Sequence, residues 1–592
     1  MGSWGNYNSL FRNAILCYMR KYEIRKKTGK PIIDHLLFHR GIETPEAKAE
    51  FLNPSYEKHI HDPFLLKDAE KAAKRIIKAI EANEKIVIYS DYDADGIPAG
   101  VIFHDFFKKI GFKNFINYIP HRHDEGFGLN TDAVEQFVKD GVQLLVTLDC
   151  GISDIEAVKL AQEKGIDVII TDHHEPHEEL PPAFAIVDHK QKDCKYPEQI
   201  LCGSGVGFKL IQAILKINSN LKSKVFELKE GHEKWFLDMV GIATMSDMVP
   251  LIGENRALAH FGLRVLKISP RKGLMRLLRH LKIDQKHLTE DDIGFMITPR
   301  INAASRMGLP MDAFCLLATD DDIEAHKYVE HLDKINNERK GVVASLVKEV
   351  KKIIKERHAE NPRNVIVAGN PEWRPSLLGL VANTLAEEFG KPAFLWGRDG
   401  DNVIKGSCRS GGTVSVVDIM NKVPEEIMLQ YGGHSASGGF AVSNEAIHHL
   451  DDHLNSAFDL LAKEMADGKA LIEPDYIDME IALDEANWNN YAEIEKLAPF
   501  GVGNKKPVFI FKNIKIFGIK EFGKEKNHLE LAFKKENGQA IKAIGFFMDM
   551  ESFKNREGNA LKIGDNIDLI ATMEKSLFGG RTELRLRIVD VV

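Results

Sequence analysis

Lys85-Ile86-Val87-Ile88-Tyr89-Ser90-Asp91-Tyr92-Asp93-Ala94-Asp95-Gly96 decides the fold. It is a short apolar run, rich in β-branched residues, that ends in three carboxylates and a glycine. A strand without a polar face must be covered on both sides, as in a parallel sheet between layers of helices. Leu144 to Leu148, Val168-Ile169-Ile170 and Ala185-Ile186-Val187 repeat the pattern, separated by amphipathic segments such as Asp154 to Lys164. The spacing predicts βαβ units and a parallel sheet between Lys85 and Val187. Ligands of such sheets lie beyond the C-terminal ends of the strands.

In an extended backbone, residues two apart point the same way, so Asp91, Asp93 and Asp95 can converge on one spot, and like charges at that density need cations. An EF-hand loop also opens with acidic positions and a glycine, but it needs a bidentate Glu at its twelfth position, where Ile102 stands, so calcium is not expected. The next two apolar runs end in Thr147-Leu148-Asp149-Cys150-Gly151 and Thr171-Asp172-His173-His174. Asp247, in Ser246-Asp247-Met248-Val249-Pro250-Leu251, is a further candidate at a strand or helix end. A single Asp in such a place is most often a cap. Acidic and His residues at three successive strand exits are not explained that way. Carboxylate with imidazole suits manganese or magnesium better than a thiolate zinc site, and two such ions about 3.5–4 Å apart activate water and clamp a phosphoryl group.

The remainder of the 592 residues points to several further cores. From Asp321 to Glu360 a proline-free pattern, with Ala325, Tyr328, Val329, Leu332, Val343, Leu346, Val347, Val350 and Ile354 spaced by three and four, predicts a long connecting helix with a break at Gly341. A second α/β unit follows, with strands at Asn364 to Ala368 and Pro392 to Leu395. After Pro507, alternating runs at Val508 to Phe511, Leu529 to Phe533, Ile567 to Ile570 and Leu584 to Ile588 predict a small closed β-barrel. The resulting division is an N-terminal segment 1–50, a catalytic α/β body 51–320, a connecting helix 321–360, a second α/β body 361–470, a linker 471–503 and a barrel 504–592.

Hydrophobic residues make up 44% and charged residues 28%, which excludes wholesale disorder. No apolar run reaches the roughly 18 residues of a membrane span, no basic-then-apolar leader opens the chain, and Asn6 breaks the myristoylation pattern. Six scattered cysteines without a CxxC pair argue against a disulfide framework, and the expected location is cytoplasmic with no membrane partner. The net charge of −8 argues against a nucleic-acid partner until it is divided by region. Asn504 to Val592 holds 17 Lys and Arg against 12 Asp and Glu, leaving −13 for the rest.

Asp91-Tyr92-Asp93-Ala94-Asp95-Gly96, Asp149-Cys150-Gly151, Asp172-His173-His174 and Ser246-Asp247-Met248-Val249-Pro250 resemble, in that order, the signature motifs of the DHH phosphoesterase superfamily. Within it the chain is similar to the RecJ family of single-stranded-DNA-specific exonucleases. Further matching segments are Asn53-Pro54, His61 to Phe64, Arg122 to Leu129, Gly203 to Leu210 and Arg300 to Arg306, so the resemblance runs from about residue 45 to the end. It implies a two-metal site, with manganese first and magnesium second, ligated by Asp93, Asp95, Asp149, His173 and Asp247. Asp149 would bridge the ions, Asp91 would support or join the ligands, and His174 would orient its neighbour or contact phosphate. The reaction implied is hydrolysis of single-stranded DNA, from the 5′ end, in repair and recombination.

Lys405 to Ser410 and Tyr431-Gly432-Gly433-His434 resemble a DHHA1 substrate-binding domain. Arg409, Ser410, Gly433 and His434 would hold phosphates opposite the metals, with Arg122, Arg300, Asn302 and Arg306 from the first body. The tail resembles the OB-fold of RecJ proteins, in which Lys524, Lys526, His528, Phe546, Phe578 and Arg581 would contribute a basic groove and stacking surfaces. A single-stranded-DNA-binding protein and a helicase are partners implied by the resemblance alone. Two departures stand out: Asp188-His189 where relatives show Asn-Pro, read here as a strand cap, and Ser305 where a glycine is usual. The alternatives are a DHH hydrolase of short oligonucleotides, cyclic dinucleotides or pyrophosphate, and a non-catalytic DNA-binding protein. Such hydrolases generally lack the barrel, and binding relatives typically lose metal ligands.

Overall fold

The computed structural model describes residues 22–357, 363–398, 403–412, 414–466, 475–523, 526–548, 550, 553, 559–576 and 582–592. The first body is built on β1 (Ile86–Ser90), α1 (Gly96–Lys109), β2 (Phe115–Tyr118), β3 (Leu144–Leu148), β4 (Asp167–Thr171) and β5 (Ala185–Val187). Its sheet is entirely parallel, in the order β2-β1-β3-β4-β5. Both faces of β1 and β3 are buried, as their unbroken apolar sequences require. Only β2, an edge strand with a half-exposed Phe-Ile-Asn-Tyr sequence, has no apolar run to announce it. Among the helices packed around the sheet, α2 (Gly203–Asn220), α3 (Leu237–Ser246), α4 (Gly253–Leu266) and α5 (Thr298–Met307) bear on the site.

The predicted connecting helix is α6 (Asp322–Arg357), about 54 Å long at 1.5 Å per residue. Its stripe of apolar residues changes partner along its length. Val329, Leu332 and Ile335 belong to the core of the first body, and Leu346, Val347 and Val350 to that of the second. Gly341 lies where the change occurs, yet α6 runs through it, because open space around the glycine imposes no turn.

The second body contains β6 (Ile366–Gly369), α7 (Pro375–Phe389), β7 (Ala393–Arg398), β8 (Ile404–Arg409), β9 (Met428–His434) and β10 (Ser437–Val442). The sheet order is β9-β10-β8-β7-β6, with β6 and β7 parallel and the other pairs antiparallel. Trp373 is buried in this core. The barrel consists of β11 (Phe509–Phe522), β12 (His528–Lys534), β13 (Ala540–Phe546), β14 (Asn566–Ser576) and β15 (Glu583–Val591). Strands pair in the order β11-β12-β13-β15-β14, and β11 pairs with β14 to close the ring. Strand β13 lacks a sequence signal because Ala540, Ala543 and Gly545 dilute its alternation.

The N-terminal segment does not stand apart. Leu36, Leu37 and Phe51 sit in the barrel core, and the strand Tyr22–Ile24 pairs in parallel with Asp475–Ile477 ahead of the barrel. No helix among the described residues is long and apolar enough to cross a membrane.

Candidate active site

The sheet's hydrogen bonding continues one residue past each strand. The Asp91 N–H donates to Leu148 O at 3.1 Å, Asp149 N–H to Thr171 O at 2.9 Å and Asp172 N–H to Val187 O at 3.2 Å. Neighbouring exits are therefore in register, and their acidic side chains fall on one side of the sheet. Asp149 adopts a left-handed backbone, φ 63°, uncommon for a residue with a side chain. Asp93 Oδ1 accepts the N–H of Asp95 at 2.7 Å and of Gly96 at 3.2 Å, which turns the chain from β1 into α1. Asp95 is held by the first turn of α2: Oδ2 accepts from Gly203 N–H at 2.6 Å and Oδ1 from Ser204 N–H at 2.7 Å, a favourable place for a carboxylate. Gly203 is needed there, since a Cβ would lie 2.4 Å from Asp149 Oδ1. Asp247 follows α3, its N–H donating to Ala243 O at 2.9 Å.

These residues form three groups in which potential ligand atoms lie within 4.8 Å of one another: Asp91 with Asp93 and Asp149, Asp95 with His173 and Asp247, and Asp149 with His173 and His174. His173 Nε2 lies 3.2 Å from Asp149 Oδ1, 3.7 Å from Asp247 Oδ2 and 3.8 Å from Asp95 Oδ2. Burial and the charge of Asp93 push Asp95 up to about 6, and burial with Asp95 and Asp93 pushes Asp247 up to about 9. Burial and the neighbouring carboxylates raise Asp149 and Asp91 well above the usual range. Burial and His174 pull His173 down to about 3, leaving it a neutral imidazole. The buried Oδ1 atoms of Asp149 and Asp91 have no hydrogen-bond partner. An oxygen-rich, imidazole-containing set of mutually repelling carboxylates with orphaned oxygens fits hard divalent cations.

Behind this cluster, Asp172 is fully buried and accepts from His174 Nδ1 at 2.7 Å. Burial opposes the charge on His174, but that bond and the charge of Asp172 outweigh it and raise the imidazole to about 9. Asp188 accepts the Lys190 N–H at 2.7 Å as a turn cap and belongs to none of the three groups. Ser305 Oγ donates to Asn302 O within α5 at 3.3 Å.

Within electrostatic reach of Asp91 and Asp93, arginines gather without a matching set of acids. Arg306 on α5 donates to Ser376 O at the start of α7, while its Nε, Arg339 Nε on α6 and Ser376 Oγ are buried without partners. Burial, Arg122 and Arg339 lower Arg306 to about 9, with Arg409 contributing and Asp93 opposing. Arg122 packs over Tyr92 at 4.8 Å on a loop fastened by Glu125, whose carboxylate accepts from Tyr118 OH and the His121 N–H, both at 2.6 Å. Arg409 ends β8, next to the buried Ser410, whose N–H donates to Ala436 O in the β9–β10 turn. Gly433 in that hairpin has φ 140°, and a Cβ would lie 2.4 Å from Ser437 O. His434 is exposed at the end of β9.

Two expected phosphate contacts are engaged elsewhere. Arg300 is buried, with Nη2 2.6 Å and Nε 3.0 Å from Asp333 Oδ1 and Nη1 donating to Met296 O. Asn302 Oδ1 accepts the Ala94 N–H at 2.9 Å, so it braces the Asp93–Asp95 loop. Arg339 and Ser376 have no motif around them, and only the packing of α6 and α7 against α5 brings them in.

On the barrel, Lys524, Phe578 and Arg581 lie outside the described residues. His528 is ringed by Phe522, Phe546 and Phe547 at centroid distances of 5.2, 5.3 and 5.0 Å, and Arg587 lies 4.0 Å over Phe546. Phe547 is 82% exposed in a left-handed conformation, φ 56°, with its N–H donated to His528 Nδ1.

Residues 85–244 match the DHH family N-terminal domain, 363–467 the DHHA1 domain and 477–590 the RecJ OB domain. The chain is 33% identical over 567 residues to the single-stranded-DNA-specific exonuclease RecJ of Bacillus subtilis, covering 95% of this chain and 68% of that protein. It is 30% identical over 527 residues to the RecJ of Haemophilus influenzae, covering 88% and 90%. The crystal structure of Thermus thermophilus RecJ in complex with Mn2+ superposes with a TM-score of 0.75 at 23% identity, covering 97% of this chain and 79% of that one. The three domains in their order, and the extent of the identity, place this chain in the RecJ family of single-stranded-DNA-specific exonucleases.

Proposed function

We propose that this protein is a divalent-metal-dependent exonuclease that hydrolyses single-stranded DNA from its 5′ end. The observation that carries the reading is the pair of clusters within electrostatic reach of each other: buried carboxylates with a neutral His173 in one, and in the other Arg122, Arg306, Arg339 and Arg409, drawn from both α/β bodies. Asp91, Asp93, Asp95, Asp149, His173 and Asp247 would hold two divalent ions, manganese by preference; the Thermus relative has been solved in complex with Mn2+. When bound, the ions activate a water and offset the charge that develops on the scissile phosphate.

The chain's own groups do the rest. Asp95 is fixed by the start of α2 and Ala94 by Asn302, so the ligand loop is held before any ion arrives. His174 Nδ1 is committed to Asp172, leaving Nε2 to donate to a phosphate oxygen. Arg122, Arg306, Arg409 and Ser410 provide charge-assisted donors for a terminal phosphate, with Gly433 and His434 on the adjacent hairpin. A site that captures a terminal 5′ phosphate cuts from that end. The barrel's Phe546, Phe547 and His528, with Arg587, give the trailing strand stacking surfaces and positive charge. Catalysis is assigned to 51–320, capture of the strand end to 361–470 and grip on the strand to 504–592. A single-stranded-DNA-binding protein and a helicase are proposed as partners, and the cytoplasm as the location.

Digestion of 5′-labelled and 3′-labelled single strands with Mn2+, with Mg2+ and with chelator tests this. Mononucleotide released at once from the 5′ label, lost with chelator and absent on blunt duplex, is the expected result. Immediate release from the 3′ label would reverse the polarity, and binding without cleavage would make the protein a DNA-binding relative.

A further inference from the structure

Asp247 differs from the other carboxylates of the pocket in what holds it. Asp91, Asp149 and Asp172 continue a hydrogen-bonded sheet, whereas Asp247 sits between the end of α3 and a loop, Met248–Ile252, that reaches α4. Met248, the next residue, is left-handed with φ 62° and 72% exposed, so it adds no packing. The loop is fastened instead by the segment that leads into the barrel. Leu251 N–H donates to Val502 O at 2.7 Å. The segment's glycines lie against the loop's side chains: a Cβ on Gly501 would lie 2.8 Å from Leu251 Cδ1, and one on Gly503 would lie 3.2 Å from Pro250 Cβ and 3.3 Å from Ile252 Cγ2.

That segment is itself pinned at both ends. Arg256, in the first turn of α4, is buried, and its guanidinium donates only to carbonyls: Phe51 O at 2.6 Å, Leu497 O at 2.9 Å and Ala498 O at 3.2 Å. Asn504 is buried as well, donating to Leu497 O at 2.8 Å and Pro499 O at 2.9 Å and accepting from Arg40 Nε at 3.1 Å. Further along, Lys506 pairs with Asp291, and the Glu290 carboxylate accepts the Phe500 N–H. A tether between domains needs none of this. A buried charged group that takes two of its three carbonyl partners from one segment holds that segment firmly, because releasing it leaves part of a buried charge unpaired.

We propose that the segment Leu497–Lys506 is a positioning element of the metal centre, clamping the Pro250–Ile252 loop so that Asp247 stays in place and the barrel is coupled to the ion it helps to hold. The proposal rests on the metal-centre reading above. Residues Gly501, Val502 and Leu251 act through Asp247 and touch neither ion nor strand.

The test uses the full chain. Gly501→Val intrudes on Leu251 from the linker side, Leu251→Ala loosens the same contact from the loop side, and Lys505→Ala changes an exposed neighbouring side chain as the control. Mn2+ binding is titrated directly by the electron paramagnetic resonance of free Mn2+. The kcat and KM are measured on a 5′-phosphorylated dinucleotide and on a long single strand. Both contact variants are expected to weaken Mn2+ binding roughly tenfold and to lower kcat on both substrates alike, as supporting groups around metal ligands do. Lys505→Ala stays at the wild-type values, and excess Mn2+ restores kcat in the variants. Unchanged Mn2+ binding in both folded variants, with a higher KM on the long strand alone, would make the segment a tether and overturn the proposal. Wild-type protein that binds no Mn2+ would overturn the metal-centre reading itself, and the proposal with it.

Discussion

The acidic pocket and the arginine cluster lie within electrostatic reach of each other but are built on different principles. The pocket is assembled mainly by one sheet: parallel register puts Asp91, Asp149 and Asp172 side by side, and the start of α2 fixes Asp95. Buried and without enough hydrogen-bond donors, its carboxylates are stable together only with cations among them. The arginine cluster is assembled by packing between bodies, from a loop, from α5 and α6, and from the end of β8. Its charges repel one another and need an anion. One half is chemistry held rigidly. The other is recognition placed across a seam, so perturbing each half should give a different kinetic signature.

The largest effect is expected from Asp149→Ala. It removes a carboxylate that belongs to two of the three ligand groups, and kcat on single-stranded DNA should fall by at least roughly a thousandfold, about 4 kcal/mol, while filter-binding affinity for the strand is kept. Equal loss of binding would erase the distinction between the two halves. Arg409→Ala comes next: with one charge-assisted contact removed, KM for a 5′-phosphorylated strand should rise about 10- to 100-fold with little change in Mn2+ affinity by titration. Asn302→Ala sharpens the comparison from the other side. Because its side chain braces Ala94, Mn2+ affinity should drop about tenfold, whereas a phosphate-binding role would move KM instead.

The sheet half was legible in the sequence because strand exits follow directly from apolar runs, and a residue just past a strand end can go to only one edge of the sheet. Asp91, Asp93, Asp95, Asp149 and His173 could be named that way, and the family resemblance added the same set. The packing half was legible only as motif. Arg300 and Asn302 share a motif with Arg306, but the helix turns Arg300 to Asp333 and Asn302 to Ala94, and no spacing rule distinguishes the three. Arg339 was invisible within a long amphipathic helix. Strands β2 and β13 escaped notice for want of an apolar alternation, and the N-terminal helices joined the barrel through long-range contacts that no local pattern encodes.

Smaller effects follow from these placements. Arg300→Met should leave KM for the strand unchanged but cost about 1–2 kcal/mol of stability by chemical denaturation, since it removes the donors to Asp333 Oδ1 and leaves that carboxylate with His280 and Asn337. Arg587→Ala on the barrel should lower the slope of log affinity against log salt by about 1 and affect the dinucleotide not at all.

The central claim is that both halves act on one strand end. It is tested most directly by single-turnover digestion of matched single strands carrying a 5′ phosphate or a 5′ hydroxyl, by wild type and by Arg306→Ala, in saturating Mn2+. The account predicts that wild type favours the phosphorylated strand by about tenfold or more and that Arg306→Ala loses the preference while still cleaving. Equal rates on both strands with wild type would contradict it.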